Sequence, residues 1–373
     1  MGIRDEVSAG KVLHCIPTMH GGGAERQLVY LATELVRLEW EVHVAVMHRG
    51  TNWPRLEASG TTIHEVPAKS SYDPRVFVQL RRILREVDPD IVQVWLLQME
   101  ILGGLAAIST RTPWVFSERA SKDAYPLSVK TLGRRAVAQW ATALVSNSTE
   151  GDTYWAPRLR RRIRRYVIPN GLPLGEIAET RPARPEEVVI GPDESLVLFA
   201  GRLDPQKNVD TLLSAVKLVD VRRQVRVLCC GDGSLRAHLE RRIATEGLRD
   251  RVRLVGFTKD LWPLMKRATV FVSPSWFEGS PNVVLEAMAC GVPLIVSNID
   301  SHRALLDETS AVLVDPRSAD QLARAIENVL ENPVEAAARS QVASVRIAQF
   351  GMNAIARQYS DLYQEILSGK ARS

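Results

Sequence analysis

The chain has 373 residues, 45% hydrophobic and 24% charged, with a formal charge of +5 and a pI of about 9.1. That length is too great for one ordinary compact domain and comfortable for two, and the composition is that of a soluble globular protein. No run approaches 18 apolar residues, so no membrane-spanning helix is expected.

The elements alternate from the start. "KVLHCIP" (Lys11 to Pro17) predicts a strand, and "AERQLVYLATELVRL" (Ala24 to Leu38) predicts a helix from the spacing of Leu28, Leu31, Ala32 and Leu35. Strands follow at "EVHVAVMH", "TIHEVP", "DIVQVWL", "TPWVFS", "ALVSNS" and "YVIP". The pattern pauses over Asn170 to Pro192, a proline-rich stretch that reads as an interdomain linker. It resumes with six strand candidates: "SLVLFAG", "VRVLCCG", "RVRLVGF", "TVFVSPS", "PLIVSN" and "AVLVD". The expected fold class is α/β: two doubly wound domains, 1–170 and 171–351, whose strand ends face a shared cleft. The C-terminal segment 352–373 holds an amphipathic helix that is expected to pack back on the first domain.

Ligands of open α/β sheets bind beyond the carboxyl ends of the strands. Four stretches lie there. "MHGGGAERQ" (Met19 to Gln27) sets Gly22 and Gly23 before a helix, where backbone amides and the helix dipole suit an anion. It is neither a dinucleotide fingerprint nor a Walker loop, and the alternative to an anion site is a plain tight turn into a helix. His20, beside it, is a weak acid–base candidate. "FAGRLDPQKN" puts Arg202 and Lys207 on one loop, which suits a diphosphate. "GDGSL" from Gly231 either lines a nucleotide pocket or only turns the chain, and Phe257 of "VGF" either meets a base or plugs the core.

The fourth stretch is "SPSWFEGSPNVVLEAMACGVP". Glu278 lies in a loop and Glu286 almost two turns inside a helix. Ser280 fits an N-cap and Pro281 the first helical position. The two acids share no helix face, so they converge only on a ligand lying along the helix start.

The four cysteines show no metal-ligand spacing and read as reduced, cytosolic small hydrophobes. No signal peptide is visible in "MGIRDEVSAGK", and Glu6 stands where myristoylation wants Ser or Thr. Arginines cluster in "RLRRRIRRY" (Arg158 to Tyr166), which is either a solvated basic helix face or an anion-binding surface. The segment Tyr125 to Val145 mixes apolar residues with Lys130, Arg134 and Arg135, and reads either as an ordinary helix of the first domain or as a helix lying on an anionic membrane.

Together, "GGGAER", "GRLDPQKN" and the Glu-seven residues-Glu signature "EGSPNVVLE" with "AMACGVPLIVS" resemble the family-four glycosyltransferases of the GT-B fold. The resemblance implies two Rossmann-like domains and transfer of a sugar from a nucleotide sugar, with UDP favoured over GDP or ADP. It also implies retained configuration and no metal or other cofactor. The acceptor would be a glycan or polyprenyl-linked hydroxyl, with no nucleic acid partner. By position, Arg202 and Lys207 would bind the donor diphosphate, Glu278 the sugar hydroxyls and Glu286 the ribose. Gly22 and Gly23 would approach the phosphate and acceptor. Gly231, Phe257, Gly279, Ser280, Asn282, Val283 and Val284 would line the donor. Ser117, Glu118 and Arg119 stand where many relatives carry a histidine, and so does Gln98. The "SER" form resembles a subgroup acting on polyprenyl-diphosphate-linked oligosaccharides, which would bring Glu118 and Arg119 near the reacting sugar or acceptor. The implied location is the cytoplasm, at the inner face of the membrane.

Other classes fit less well. An epimerase wants other acid–base residues, and a phosphorylase needs a pyridoxal lysine and a longer chain. A hydrolase needs carboxylates facing across the scissile bond. A dehydrogenase needs the glycine fingerprint, and a solute-binding protein an export signal.

Overall fold

The computed structural model describes residues 9–68, 70, 73–119, 128–184, 191 and 194–370. The N-terminal "MGIRDEVS", Tyr125 to Leu127, most of the second half of the predicted linker and the last three residues lie outside them. The chain divides into two compact units, Met1–Pro173 with Phe350–Ser373, and Leu174–Gln349.

The first unit is a seven-stranded sheet in the order β3-β2-β1-β4-β5-β6-β7. Its strands are β1 (Gly10–Thr18), β2 (Trp40–His48), β3 (Thr62–Glu65), β4 (Ile91–Trp95), β5 (Trp114–Glu118), β6 (Ala143–Ser146) and β7 (Arg164–Val167). Every pairing is parallel. Parallel strands need crossovers, and crossover helices cover both faces, so central strands such as β4 are buried throughout. One face packs Val12, Ile16, Val115 and Val145 under the helices Gly23–Arg37 and Met352–Lys370. The other packs Leu13, Val92 and Phe116 under Pro74–Val87, Leu96–Thr110 and Val129–Ala138.

The C-terminal helix is tied into this unit by more than apolar area. The Tyr363 hydroxyl donates to Gln93 at the sheet centre, and Gln93 donates to Ser117 at 2.8 Å. These buried polar groups are satisfied only in one seating of the helix. Next to them, Trp95 donates to His14 Nδ1 at 3.1 Å. Burial, followed by the charge of Arg119, pushes that imidazole down to about 3.

The second unit is a six-stranded parallel sheet in the order β10-β9-β8-β11-β12-β13. The strands are β8 (Ser195–Ala200), β9 (Val225–Cys230), β10 (Val252–Gly256), β11 (Val270–Ser273), β12 (Leu294–Ser297) and β13 (Val312–Val314). Val197, Val227, Val270 and Ile295 form its core with the helices Val209–Leu218, Arg236–Thr245 and Ala319–Glu331.

Two expectations need correction, and a third gains detail: the division between the units falls within the predicted linker, whose described part is structured. Leu174–Glu179 is helical, Ala183 donates to the Pro263 carbonyl, and Lys266 donates to the carbonyls of Ala178 and Thr180. The arginine run is not one helix face. It runs from the turn Ala156–Arg158 through a loop into β7. Within the described part of Tyr125–Val145, residues 128–145, the helix is Val129–Ala138, and its Arg134 is fully buried.

Candidate active site

In both sheets the strand order reverses between the first and fourth strands of the unit: at β1/β4 and at β8/β11. Loops leaving neighbouring strands in opposite directions open a crevice at such a point. In the second unit those loops are Gly201–Asn208, after β8, and Pro274–Ser280, after β11.

The two loops meet through a short ion pair. Lys207 Nζ donates to Glu278 Oε1 at 2.6 Å, with the Lys207 side chain 14% and the Glu278 side chain 6% exposed. Ser275 donates to the same oxygen at 2.6 Å. Glu278 Oε2 takes no hydrogen bond from any described residue. The carboxylate is thus held by one oxygen, and the other remains available as an acceptor. Arg202, 72% exposed, is held at 3.0 Å by Asp204. Burial tends to push the Asp204 carboxyl up, but the Ser234 amide and hydroxyl, with the charges of Arg202 and Lys207, outweigh it and hold it below the usual carboxylate range.

The loops are anchored from beneath. Asn208 sits in the left-handed region (φ 53°) and its amide donates to the carbonyls of Pro274 (3.0 Å) and Pro316 (2.8 Å). Gln206 donates to the Phe277 carbonyl at 2.8 Å, and the Trp276 amide returns a bond to Gln206. Gly231 has φ 141°, and a Cβ there would lie 1.9 Å from the Gly201 carbonyl oxygen. The β8 and β9 loops approach so closely that only glycine fits. Phe257 is 58% exposed, so it does not plug the core.

The helix after Glu278 runs Asn282–Cys290, with Pro281 rather than Ser280 at the N-cap. The Pro281 carbonyl accepts from the Val284 and Leu285 amides, and the Asn282 amide turns back to the Ser280 carbonyl at 2.9 Å. So the Asn282 and Val284 amides, expected to face a phosphate, already have acceptors within the chain. Gly279 and Val283 flank them on the same turn. Glu286, inside the helix, is 1% exposed. Burial, followed by the Glu286 charge, pushes the Cys290 thiol up to about 12.

In the first unit the glycine turn has an internal logic. Gly22 is the N-cap of the helix Gly23–Arg37. A Cβ on Gly22 would lie 2.2 Å from Glu25 Oε2, so the glycine leaves room for that carboxylate. Burial pushes the Glu25 carboxyl up, against its own amide and Arg26. Gln27 grips Gly171 by both backbone groups, at 2.8 and 2.9 Å. His20 is exposed, and its amide donates to Thr18.

Glu118 and Arg119 are both bonded within the first unit. Glu118 is 1% exposed, accepts from Arg134 at 2.8 Å and from Trp155 at 2.6 Å, and belongs to a buried cluster with Glu100. Arg119 lies 4.2 Å over the Trp95 ring, donates to Asn170 at 3.0 Å and donates to the Tyr359 hydroxyl. Their side chains brace the first unit. Ser275, Asn208 and His302 were not singled out from the sequence. "SPS" directly after a strand was the one available signal for the first of them.

No helix among the described residues is long and apolar enough to cross a membrane. Among them no group of three or more His, Cys, Asp or Glu could hold a metal ion.

Two parallel, doubly wound sheets of seven and six strands match the architecture of the GT-B glycosyltransferase structures. The Anabaena protein HepE, solved with UDP and glucose, superposes with a TM-score of 0.86 over 95% of this chain and 100% of its own, at 20% identity, a likeness of fold. Two family models match in series: Glycosyltransferase Family 4 over residues 21–176 and Glycosyl transferases group 1 over 180–344. The chain belongs to this glycosyltransferase family and is a hexosyltransferase. Among curated relatives, it is 26% identical over 336 residues (86% of this chain, 89% of the relative) to the Campylobacter jejuni GalNAc-alpha-(1->4)-GalNAc-alpha-(1->3)-diNAcBac-PP-undecaprenol alpha-1,4-N-acetyl-D-galactosaminyltransferase. It is 28% identical over 278 residues (70% and 72%) to the Escherichia coli UDP-Gal:alpha-D-GlcNAc-diphosphoundecaprenol alpha-1,3-galactosyltransferase.

Proposed function

We propose that the protein moves a hexose or N-acetylhexosamine from a UDP-sugar to a hydroxyl of a glycan or polyprenyl-diphosphate-linked acceptor, with retention of configuration, in cell-envelope polysaccharide or glycolipid synthesis. The observation that carries the donor reading is the Lys207–Glu278 pair beside Arg202 at the β8/β11 switch point. The acceptor class rests on the two polyprenyl-linked relatives.

Breaking the bond from sugar C1 to the phosphate oxygen leaves the electron pair on the diphosphate. Arg202 and Lys207 offer fixed positive charge to it before reaction, and the acceptor hydroxyl, on bonding to C1, gives its proton to the departing diphosphate. Glu278 Oε2 accepts from a sugar hydroxyl, and Glu286 serves the ribose. In this reading the two cations do the electrostatic work, so transfer needs no metal ion. Transfer from a panel of UDP-, GDP- and ADP-sugars with EDTA present is expected to proceed with the UDP-sugar. Loss of activity on chelation would overturn the metal-free mechanism, and thermal stabilisation by GDP- or ADP-sugars alone would overturn the base assignment.

The acceptor reading brings the protein to a membrane surface. Trp140 is 56% exposed, and the guanidiniums of Arg160 and Arg162 lie 5.1 and 5.7 Å over its ring. Val129 and Leu132 are exposed on the preceding helix. An indole among arginines suits the headgroup layer of an anionic bilayer. Arg134 is no part of that surface, because it is spent on buried carboxylates. We place the protein at the cytoplasmic face of the membrane as a peripheral enzyme. Flotation should carry it with anionic vesicles and not with neutral ones; equal or absent binding to both contradicts the placement.

A further inference from the structure

We propose that His302 is a positioning residue for Glu278, acting through Ser297 and Ser275. The inference rests on the reading of Glu278 as the sugar-contacting group.

The loop Pro274–Ser280 is irregular, yet it must hold one carboxylate in place. Part of that order comes from β12, the strand beside β11. Ser297, its last residue, donates from Oγ to the Ser275 carbonyl at 2.6 Å. Ser275 in turn donates to Glu278 Oε1. His302 lies in the short helix Asp300–Arg303 that follows β12, and its side chain is fully buried. The ring folds back on Ser297, with Nδ1 2.8 Å from the carbonyl oxygen and 3.3 Å from Oγ.

These contacts determine the tautomer. The Ser297 carbonyl only accepts. The Ser297 hydroxyl has already given its proton to the Ser275 carbonyl, so toward His302 it also only accepts. Both contacts therefore require a proton on Nδ1. Burial holds the imidazole below its ordinary value, so it is neutral and Nε2 carries a lone pair. That nitrogen is enclosed without a hydrogen-bond partner among the described residues. An aliphatic side chain would fill the space without burying an unpaired nitrogen. What the imidazole adds is the Nδ1 donor. It keeps the Ser297 hydroxyl turned toward Ser275, and Ser275 keeps Glu278 in line with Lys207. Glu278 and Lys207 are close enough for their charges to act on the ring.

The test uses the intact enzyme and three substitutions that separate the donor from the packing. His302→Leu removes both nitrogens. His302→Gln moves an amide toward the Nε2 position. His302→Asn keeps an amide near the Nδ1 position. Leu and Gln are expected to lower kcat about tenfold with donor KM nearly unchanged, the scale of one lost hydrogen bond in a preorganised site. Asn is expected to restore most of the rate. In a Glu278→Gln background, His302→Leu should cost nothing further, because it acts through Glu278. An Asn variant as slow as Leu, full additivity with Glu278→Gln, or a wild-type rate for His302→Leu would each overturn the proposal. If Glu278→Gln itself turns over at the wild-type rate, the reading of the site fails instead. Nitrogen-15 NMR of the wild-type histidines is independent of whether variants fold. It should show a neutral ring protonated at Nδ1, and an Nε2-protonated ring would contradict the proposal.

Discussion

Glu278→Gln is expected to lower kcat on the order of a hundredfold while leaving the protein folded. The amide carbonyl can still accept from Lys207 and Ser275, so the loop keeps its bonds. On the proposed reading, what disappears is a negative charge beside the reacting sugar and a second carboxylate oxygen to accept a sugar hydroxyl. Lys207 then loses its ion-pair partner, so UDP should bind as tightly as before or more tightly. Lys207→Ala would have the opposite signature, with UDP affinity falling and a buried carboxylate left without its cation. Steady-state kinetics with calorimetric UDP titration separate the two. A wild-type kcat for Glu278→Gln would remove Glu278 from the chemistry. A loss of UDP affinity matching the loss of rate would make it a ground-state binding group.

Arg134→Leu is expected to produce a large loss of stability, about 3–5 kcal/mol at neutral pH, because it strands two buried carboxylates. Arg134 is bonded through Nε and Nη2 to Glu100 and through Nη2 to Glu118, and all three residues are at most 1% exposed. Its guanidinium also lies 4.9 Å from the Phe116 ring and 5.1 Å from that of Trp155, which closes the site to water. Even with the arginine present, burial pushes the Glu100 carboxyl up to about 7, against the pull of Arg134. The folded state therefore holds a proton that the unfolded chain releases near 4.5. This contribution is fully present below 4.5 and is lost as pH rises through 7. Removing Arg134 raises Glu100 further, so the deficit of the variant should be smallest near pH 5 and grow toward pH 8. Urea unfolding at the two pH values tests this. A deficit that is larger in acid contradicts the sign, and one below about 1 kcal/mol contradicts the buried pairing.

The parts of the site that could be read from the sequence are those set by neighbours along the chain. Lys207 and Glu278 were legible because each follows an apolar strand by a few residues, and ligand loops of such sheets lie there. The helix start was misread by one position because Ser-Pro is a good local cap signal. In the folded loop the Ser280 carbonyl is occupied by the Asn282 amide, and Pro281 accepts from the first turn instead. Glu118 and Arg119 read from the sequence as site residues, without their partners in the fold. Their partners Trp155 and Tyr359 lie 37 and 240 residues further along, so nothing local announces that they are spent inside the first unit. Arg134 is the same case: a cation among surface-like neighbours in sequence, and fully buried in the fold.

By itself the sequence determined the alternation of strands and helices, the two sheets, and the loops that carry the cations and Glu278. These follow from hydrophobic period and from glycine and proline punctuation, which act over a few residues. Only the tertiary structure decided that β8 lies beside β11, and hence that Lys207 meets Glu278. Only it decided that Ser297 and His302 stand behind that carboxylate, and that the last helix inserts Tyr359 and Tyr363 into the first unit. Strand order and buried hydrogen-bond partners are chosen by packing between segments far apart in the chain, where each polar group must find its partner in the single arrangement that also fills the core.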